Sequence, residues 1–475
     1  EERPAASMEL IQDMLVMLSG EHRGALPEWL QAIAARGWRV PEEHLVDLLE
    51  YGRGHTEVRD DILPVLGRRG RWLAGQNPDW KYALQISLFE IENTPETEPR
   101  VLEANEAEWQ TGTREERVAL LQRLRRTHPA QARALVETTW KQDAPDERAA
   151  FLATFETGLS MEDEPFLEEA LDDRRKEVRW AAQEMLLHLP ESRLCQRMWE
   201  RVRPLVTLQV GVQEAKVEEK AGFLDKMRSM LKPKEEAKSI ETIMVELPQE
   251  CNKAMIRDGI EAKPAYSNIG EKTWWLKQML ERIPLGYWSR EWNRSPVDVI
   301  AANRSEEWQK LILEAWTASL RRMGDPNWAT ALFTFWIENQ TDKMPMPLDE
   351  VWSKNLPPDV FEAGILRLLD TVGQRIQYGN PAFTLLTQVK VVWSAPLTQA
   401  VLKKLGAFSG NSYYIASNLG ALEPYVPAQF KDAFYAVWNK LAESAPYYQN
   451  QIQSHIALNE FRKEMRRKIA AAKEK

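Results

Sequence analysis

The densest run of potentially reactive side chains lies between Arg68 and Trp80, where Arg68, Arg69, Arg71, Trp72, Asn77, Asp79 and Trp80 stand close together. Guanidinium groups bind carboxylates and phosphates through paired hydrogen bonds, and indoles offer broad stacking faces, so this run suits a contact patch. A structural account uses the same residues. Trp72 and Leu73 turn inward, Gly75 ends a short helix, Asn77 caps the next with Pro78 at its first position, and an arginine pairs with Asp79. The structural account is the preferred one.

A second run comprises Asp172, Asp173, Arg174, Arg175 and, one turn on, Arg179. Basic residues at a helix start oppose the helix dipole and ask for an acidic neighbour such as Asp172. The pairs Asp60-Asp61 and Asp172-Asp173 have the chemistry to hold a cation, but caps and solvated turns account for them more simply. His22, His44, His55, His128, His188 and His455 lie in no ligand spacing, and His188 reads as a dipole partner at a helix end. There is no GxxxxGK[ST], GxSxG or HExxH. The sequence therefore points to no catalytic residue, metal or cofactor, and leans away from an enzyme.

These residues sit on elements whose spacing is helical. Ile11, Met14, Leu15 and Leu18 fall on one stripe, as do Leu30, Ile33 and Ala34, then Leu45, Leu48 and Leu49. Thr113 and Glu116 form a capping-box pattern before Val118, Leu121 and Leu124. His128-Pro129 closes that helix. Ala132, Leu135, Val136 and Trp140 mark the next, and Phe151, Leu152, Phe155 and Leu159 the one after. Val178, Ala181, Ala182, Met185, Leu186 and Leu189 then form a long stripe. Near the middle the period changes: Leu208, Val210 and Val212 alternate, as do Ile243, Val245 and Leu247, like two short strands. Between them lie an amphipathic run, Phe223 to Leu231, and the charged break Lys232 to Glu236. Helical stripes return with Trp308, Leu311, Ile312 and Ala315; with Trp328, Leu332, Phe335 and Trp336; with Phe361, Ile365, Leu368, Leu369 and Val372; and with Phe430, Phe434, Val437 and Leu441. Prolines 326, 345, 347, 357, 358, 381 and 396 punctuate them, and the basic tail carries Phe461, Met465 and Ile469 on one face.

The expected fold is all-α: a solenoid of HEAT-like helix pairs with a small β-ribbon insert. Its regions are 1–205 (helical repeats), 206–260 (the insert) and 261–475 (helical). Composition agrees, with 475 residues, 44% hydrophobic and 28% charged. The 19 tryptophans read as core, Trp29, Trp180, Trp308 and Trp336 among them. A net charge of −9 argues against a protein that coats nucleic acid. Cys195 and Cys251 read as reduced, buried thiols of a cytoplasmic protein. No apolar run reaches the roughly 18 residues of a membrane span. The sequence opens on Glu1 rather than Met, as expected of a chain lacking its first few residues.

The segment Asp173, Val178, Arg179, Ala182 and Leu186 resembles the second helix of a HEAT repeat, in which an Asp in the turn precedes Val-Arg. Several phrases together resemble a family of uncharacterised bacterial proteins, a domain of unknown function. They are Leu66 to Ala74 with Gln76 to Trp80; Asp163 to Glu168 with Asp172 to Arg179; Leu247 to Cys251; Arg257-Asp258-Gly259-Ile260; and Gly270 to Leu276. The resemblance spans nearly the whole chain. It implies a gene neighbourhood with a MoxR-type AAA ATPase, a von Willebrand factor A protein and a SWIM zinc-finger protein, and hence a helical adaptor in a protein assembly. The expected function is a non-catalytic interaction scaffold whose partners are proteins, the ATPase or the von Willebrand factor A protein among them. The alternatives are a HEAT-like nucleic-acid enzyme such as a DNA glycosylase, and a hydrolase whose site forms only from distant residues.

Overall fold

Proline has φ fixed near the helical value and no N–H, so it opens a helix cheaply and disrupts one from within. The chain uses it in that way. Pro129, Pro145, Pro326 and Pro358 stand first in the helices Pro129–Thr139, Pro145–Ala153, Pro326–Asn339 and Pro358–Thr371. Thr113 and Glu116 make the expected reciprocal cap: the Thr113 hydroxyl accepts the Glu116 N–H at 3.4 Å, and Glu116 Oε2 accepts the Thr113 N–H at 2.9 Å. Ser192, Ser295 and Ser394 cap three later helices.

The computed structural model describes residues 3–84, 106, 108–212, 239–264, 269–339, 341, 344–371, 380–407, 419–442 and 447–472. It is an all-α fold with one small antiparallel pair, β1 (Val206–Val212) and β2 (Ser239–Val245), in which Val206 faces Val245 and Val212 faces Ser239. Only the base of this ribbon is buried, at Val206 and Ile243, while Val210 and Met244 are exposed. Arg294 ties it down through the Glu241 carboxylate at 2.6 Å. The amphipathic run Phe223 to Leu231, the break Lys232 to Glu236 and Val372 lie outside the described residues. No helix among the described residues is long and apolar enough to cross a membrane.

The chain forms two compact units. The first comprises Glu1–Ala104, Gln374–Tyr378 and Val391–Lys475, and the second comprises Asn105–Gly373 and Gly379–Lys390. The strand pair lies within the second. In the first unit, the helices Met8–Leu18 and Leu26–Ala35 pack on Tyr447–Ala471. Met465 and Ile469 of that last helix enter the core with Ile11, Met14, Trp29 and Ile33. Lys468 Nζ meets Asp13 Oδ1 at 2.8 Å, and Arg462 donates to the Gly24 carbonyl at 2.8 Å. The apolar face of the basic tail is thus core of its own unit.

In the second unit a series of helices packs one against another along the chain. Pro145–Ala153 and Glu164–Ala170 lie against Lys176–Leu187, which lies against Arg193–Val202, then Glu271–Leu280, then Gln309–Met323. A chain of buried indoles runs through it. Trp199 meets Trp288 edge-on at 5.0 Å, Trp288 meets Trp316 at 6.0 Å, and Trp316 meets Trp328 at 5.2 Å. Trp29 and Trp336 are buried as expected. Trp180 is not: it is 61% exposed, because the buried stripe of its helix runs through Val178, Ala181, Ala182, Met185 and Leu186 and leaves position 180 on the opposite side. Trp308 is half-buried and stands just before the helix Gln309–Met323 rather than inside it.

An enclosed polar cluster of this unit joins Arg125 and Asp163, with Arg133 2.8 Å from the same carboxylate. Arg125 donates to both Asp163 oxygens, at 3.0 and 2.8 Å, and to the carbonyls of Thr157 and Gly158, each at 2.9 Å. Both side chains are fully buried. Gly158 makes the wrap possible. Its φ is +65°, and a Cβ there would lie 2.5 Å from the Arg125 carbonyl oxygen.

Candidate binding site

The side of the Lys176–Leu187 helix opposite its apolar stripe presents Lys176, Arg179, Trp180, Gln183 and Glu184, spaced i, i+3, i+4, i+7 and i+8, so all five share one face, exposed at Lys176 and Trp180 and buried at Gln183. This face forms one wall of a cleft of about 530 Å³. The segment Ile256 to Ala262 forms another, and the Glu271–Leu280 helix with Glu281, Arg282 and Arg322 closes it. A volume of this order lies in the range of ligand pockets.

Local chemistry sets the second wall. Asn252 caps the helix Lys253–Arg257 by accepting the Met255 N–H at 3.1 Å, and the chain then turns at Gly259 with φ +89°. A Cβ at Gly259 would stand 2.4 Å from Gln183 Oε1, so a side chain there would displace the Gln183 amide. Gly259→Ala is expected to cost about 1–3 kcal/mol through the left-handed backbone and the displaced Gln183 amide. Urea unfolding measures this, and a change below about 0.5 kcal/mol would contradict it.

Beneath the segment lies an ion-pair network. Asp258 is buried and accepts from Arg197 at 3.0 and 2.7 Å and from Arg201 at 2.6 Å. Arg257 pairs with Glu168 at 2.8 Å and grips Asp172 with two bonds, at 2.7 and 2.8 Å. The Arg257 hydrogen bond holds the Asp172 carboxyl below its ordinary pKa and raises that of the guanidinium.

The third wall holds less completely paired charge. Arg282 donates to the carbonyls of Gln278 at 2.9 Å and Gly259 at 3.2 Å, while its Nε is buried without a partner. Burial, then the neighbouring Arg322, push its pKa down. Arg322 donates to the Glu281 carbonyl at 3.1 Å and stands 3.5 Å from the Glu184 carboxylate. Burial raises the Glu281 carboxyl above the usual range. The Trp274 indole N–H is also buried without a partner. At the rim stand two exposed apolar side chains, Trp180 and Ile256, the latter 50% exposed.

Three of the phrases that carry the family resemblance, Asp172 to Arg179, Arg257 to Ile260 and Gly270 to Leu276, meet around this one cleft. A family model described as a family of unknown function, DUF5691, matches residues 1–469. The chain belongs to that family. No curated protein matches the chain.

Within this DUF5691 chain the residues singled out by sequence fall into two groups, one in each unit. Arg68, Arg69, Arg71, Trp72, Asn77, Asp79 and Trp80 belong to the first. Their helix, Gly67–Gln76, buries Gly67, Gly70 and Ala74, and Leu73 packs on the core. Trp72 lies off that stripe and is 64% exposed, so it does not turn inward. Asn77 caps as expected, accepting the Asp79 N–H at 3.1 Å. Trp80 donates to Glu50 at 3.1 Å, and Arg69 lies 3.6 Å from Glu42. Arg68 is exposed and Arg71 half-buried.

Asp172, Asp173, Arg174, Arg175 and Arg179 belong to the second unit and are only partly brought together. Asp173 receives the Arg175 N–H at 2.8 Å and the Arg148 guanidinium at 3.0 Å, and its carbonyl receives Arg179 at 2.7 Å. Asp173, not Asp172, therefore serves the helix start, because Arg257 occupies Asp172. Arg174 and Arg175 are exposed. Arg179 alone of this group lines the cleft. Sequence reasoning missed Trp180 as a surface residue, along with Arg257, Asp258, Arg282 and Arg322. The signal for Trp180 was a second stripe, 176, 179, 180, 183 and 184, in which an indole shares a face with charges.

Burial pushes the Cys195 thiol up to about 11 and raises Cys251 as well, which suits inert thiols, although Cys251 is only half-buried. His188 marks a helix end, its Nδ1 2.7 Å from the Glu184 carbonyl. In the first unit, Lys431 and Tyr435 both contact the buried Glu423 carboxylate, so this trio satisfies itself.

Proposed function

We propose that the chain is a non-catalytic interaction scaffold that holds a partner polypeptide at the cleft beside Trp180. The observation that carries this reading is the placing of the exposed Trp180 and Ile256 on a cleft whose third wall holds the incompletely paired Arg282. Exposed indole beside guanidinium is the composition of an interface hot spot. Neighbour-on-neighbour packing in the second unit supports a HEAT-like stack of helix pairs, an architecture that offers extended surfaces for partners. The family resemblance supports an assembly with a MoxR-type AAA ATPase or a von Willebrand factor A protein in the cytoplasm of a bacterium.

Tagged chain purified from native cells is expected to bring down a stoichiometric partner, with a yield that depends on the nucleotide state of the ATPase. Trp180→Ala should leave stability within about 0.5 kcal/mol, since the indole is exposed, and weaken capture about 30-fold, the effect of losing a hot-spot tryptophan. No stoichiometric partner, or equal capture by the variant, would remove the reading.

A further inference from the structure

The cleft is short of negative charge. Its walls carry the cations Lys176, Arg179, Arg282 and Arg322 and the carboxylates Glu184, Glu261 and Glu281. Two pairs account for themselves: Arg322 with Glu184 at 3.5 Å and Lys176 with Glu261 at 3.6 Å. Arg179 and Arg282 remain, each hydrogen-bonded to neutral backbone carbonyls, with Glu281 as the one carboxylate left to balance them. One positive charge is left over. It is held where burial is costly for a cation and where Arg322 repels Arg282.

An anion entering such a site gains from the Arg282 guanidinium and offsets the repulsion that Arg322 exerts on it. The surplus sets its charge. A monoanion completes the balance, whereas a phosphate dianion would overshoot it and face Glu184 and Glu281. The walls set the rest of the ligand. Trp180 and Ile256 rim the cleft, and Trp274 lines it, so a group of apolar character belongs next to the anion.

We infer that the cleft binds a carboxylate carried beside an apolar side chain on a polypeptide, with Arg282, whose Nε is buried without a partner, receiving the carboxylate and Trp180 covering the apolar group. This rests on the scaffold reading and names what the scaffold grips. The carboxylate has two sources, a chain's C-terminus or an acidic side chain, and they present the same chemistry.

Saturation-transfer NMR on the full chain at about pH 8, where inorganic phosphate is mainly the dianion, tests this with N-acetyl-leucine, its C-terminal amide, N-acetyl-Glu-Leu-amide and inorganic phosphate. Binding is expected for one or both carboxylates, with the amide of acetyl-leucine about tenfold weaker or silent. Whichever carboxylate binds more tightly identifies the source. Arg282→Gln and Trp180→Ala should each reduce binding about tenfold. Trp180 is exposed, so that variant keeps the test decisive if Arg282→Gln does not fold. Equal binding of acid and amide, no binding of either carboxylate, displacement by phosphate at equal concentration, or an unchanged Trp180→Ala variant would each overturn the assignment. Partner capture that depends on Trp180 without carboxylate binding leaves the scaffold reading standing and removes this one. Carboxylate binding without a captured partner does the reverse.

Discussion

Replacing Asp163 by alanine is expected to remove about 3–5 kcal/mol from the stability of the second unit, because it strands the Arg125 guanidinium in a site from which water is excluded. Arg125 lies over the Phe155 ring at 4.4 Å and has no exposed surface through which to recover hydration. Burial raises the Asp163 carboxyl, but the hydrogen bonds from Arg125 and Arg133 outweigh it and leave the pKa below its ordinary value. A depressed carboxyl contributes stability that is complete above the unfolded-state pKa and lost as pH falls through the folded-state value. Urea unfolding should therefore show the wild type losing this increment in acid, while Asp163→Asn, weak already at neutral pH, loses less. Replacing the pair with Arg125→Met and Asp163→Leu should restore part of what the single change loses, since a well-packed apolar pair often replaces a buried ion pair at little cost, while Arg133 still loses its 2.8 Å contact to Asp163. A single-variant loss below about 1 kcal/mol, or no rescue, would contradict the description of this pair.

Trp316→Ala should be comparably severe, at about 3–5 kcal/mol. The indole is fully buried between Trp288 and Trp328, and each edge-to-face contact adds about 0.5–1.5 kcal/mol beyond the area it buries. Its N–H has no hydrogen-bond partner, so the whole effect is packing. Trp316→Phe should recover part of it. Chemical denaturation of Trp316→Ala beside Trp180→Ala makes the comparison: similar losses at the two positions would deny that one indole is core and the other surface.

That contrast marks what the sequence can and cannot say. Caps and breaks are local chemistry, so Thr113 with Glu116, His128-Pro129 and the alternating residues of β1 and β2 were legible. The apolar face of the tail was legible too, as period-3.6 spacing of Phe461, Met465 and Ile469. Its destination was not, because packing a helix near residue 465 on one near residue 14 leaves no mark in local spacing. The same limit misassigned Trp180 and Trp72: a large apolar side chain one step off the buried stripe reads as core until the stripe's neighbours are known. The cleft's charges were hidden for a related reason. Arg257 meets Glu168 and Asp172, and Arg197 and Arg201 meet Asp258, across long stretches of sequence. No motif spacing records such pairings, although the phrases that carry the family resemblance contain Arg257, Asp258 and Asp172 and so pointed to the right neighbourhood.

The central claim is that a partner polypeptide sits at the cleft. A photoreactive amino acid placed at Ile256, and separately at the exposed Val297 of the same unit as a control, tests it inside native cells. One discrete cross-linked adduct from position 256, absent from position 297 and abolished by Trp180→Ala, is the result expected. No adduct at 256, or the same adducts from both positions, would contradict it.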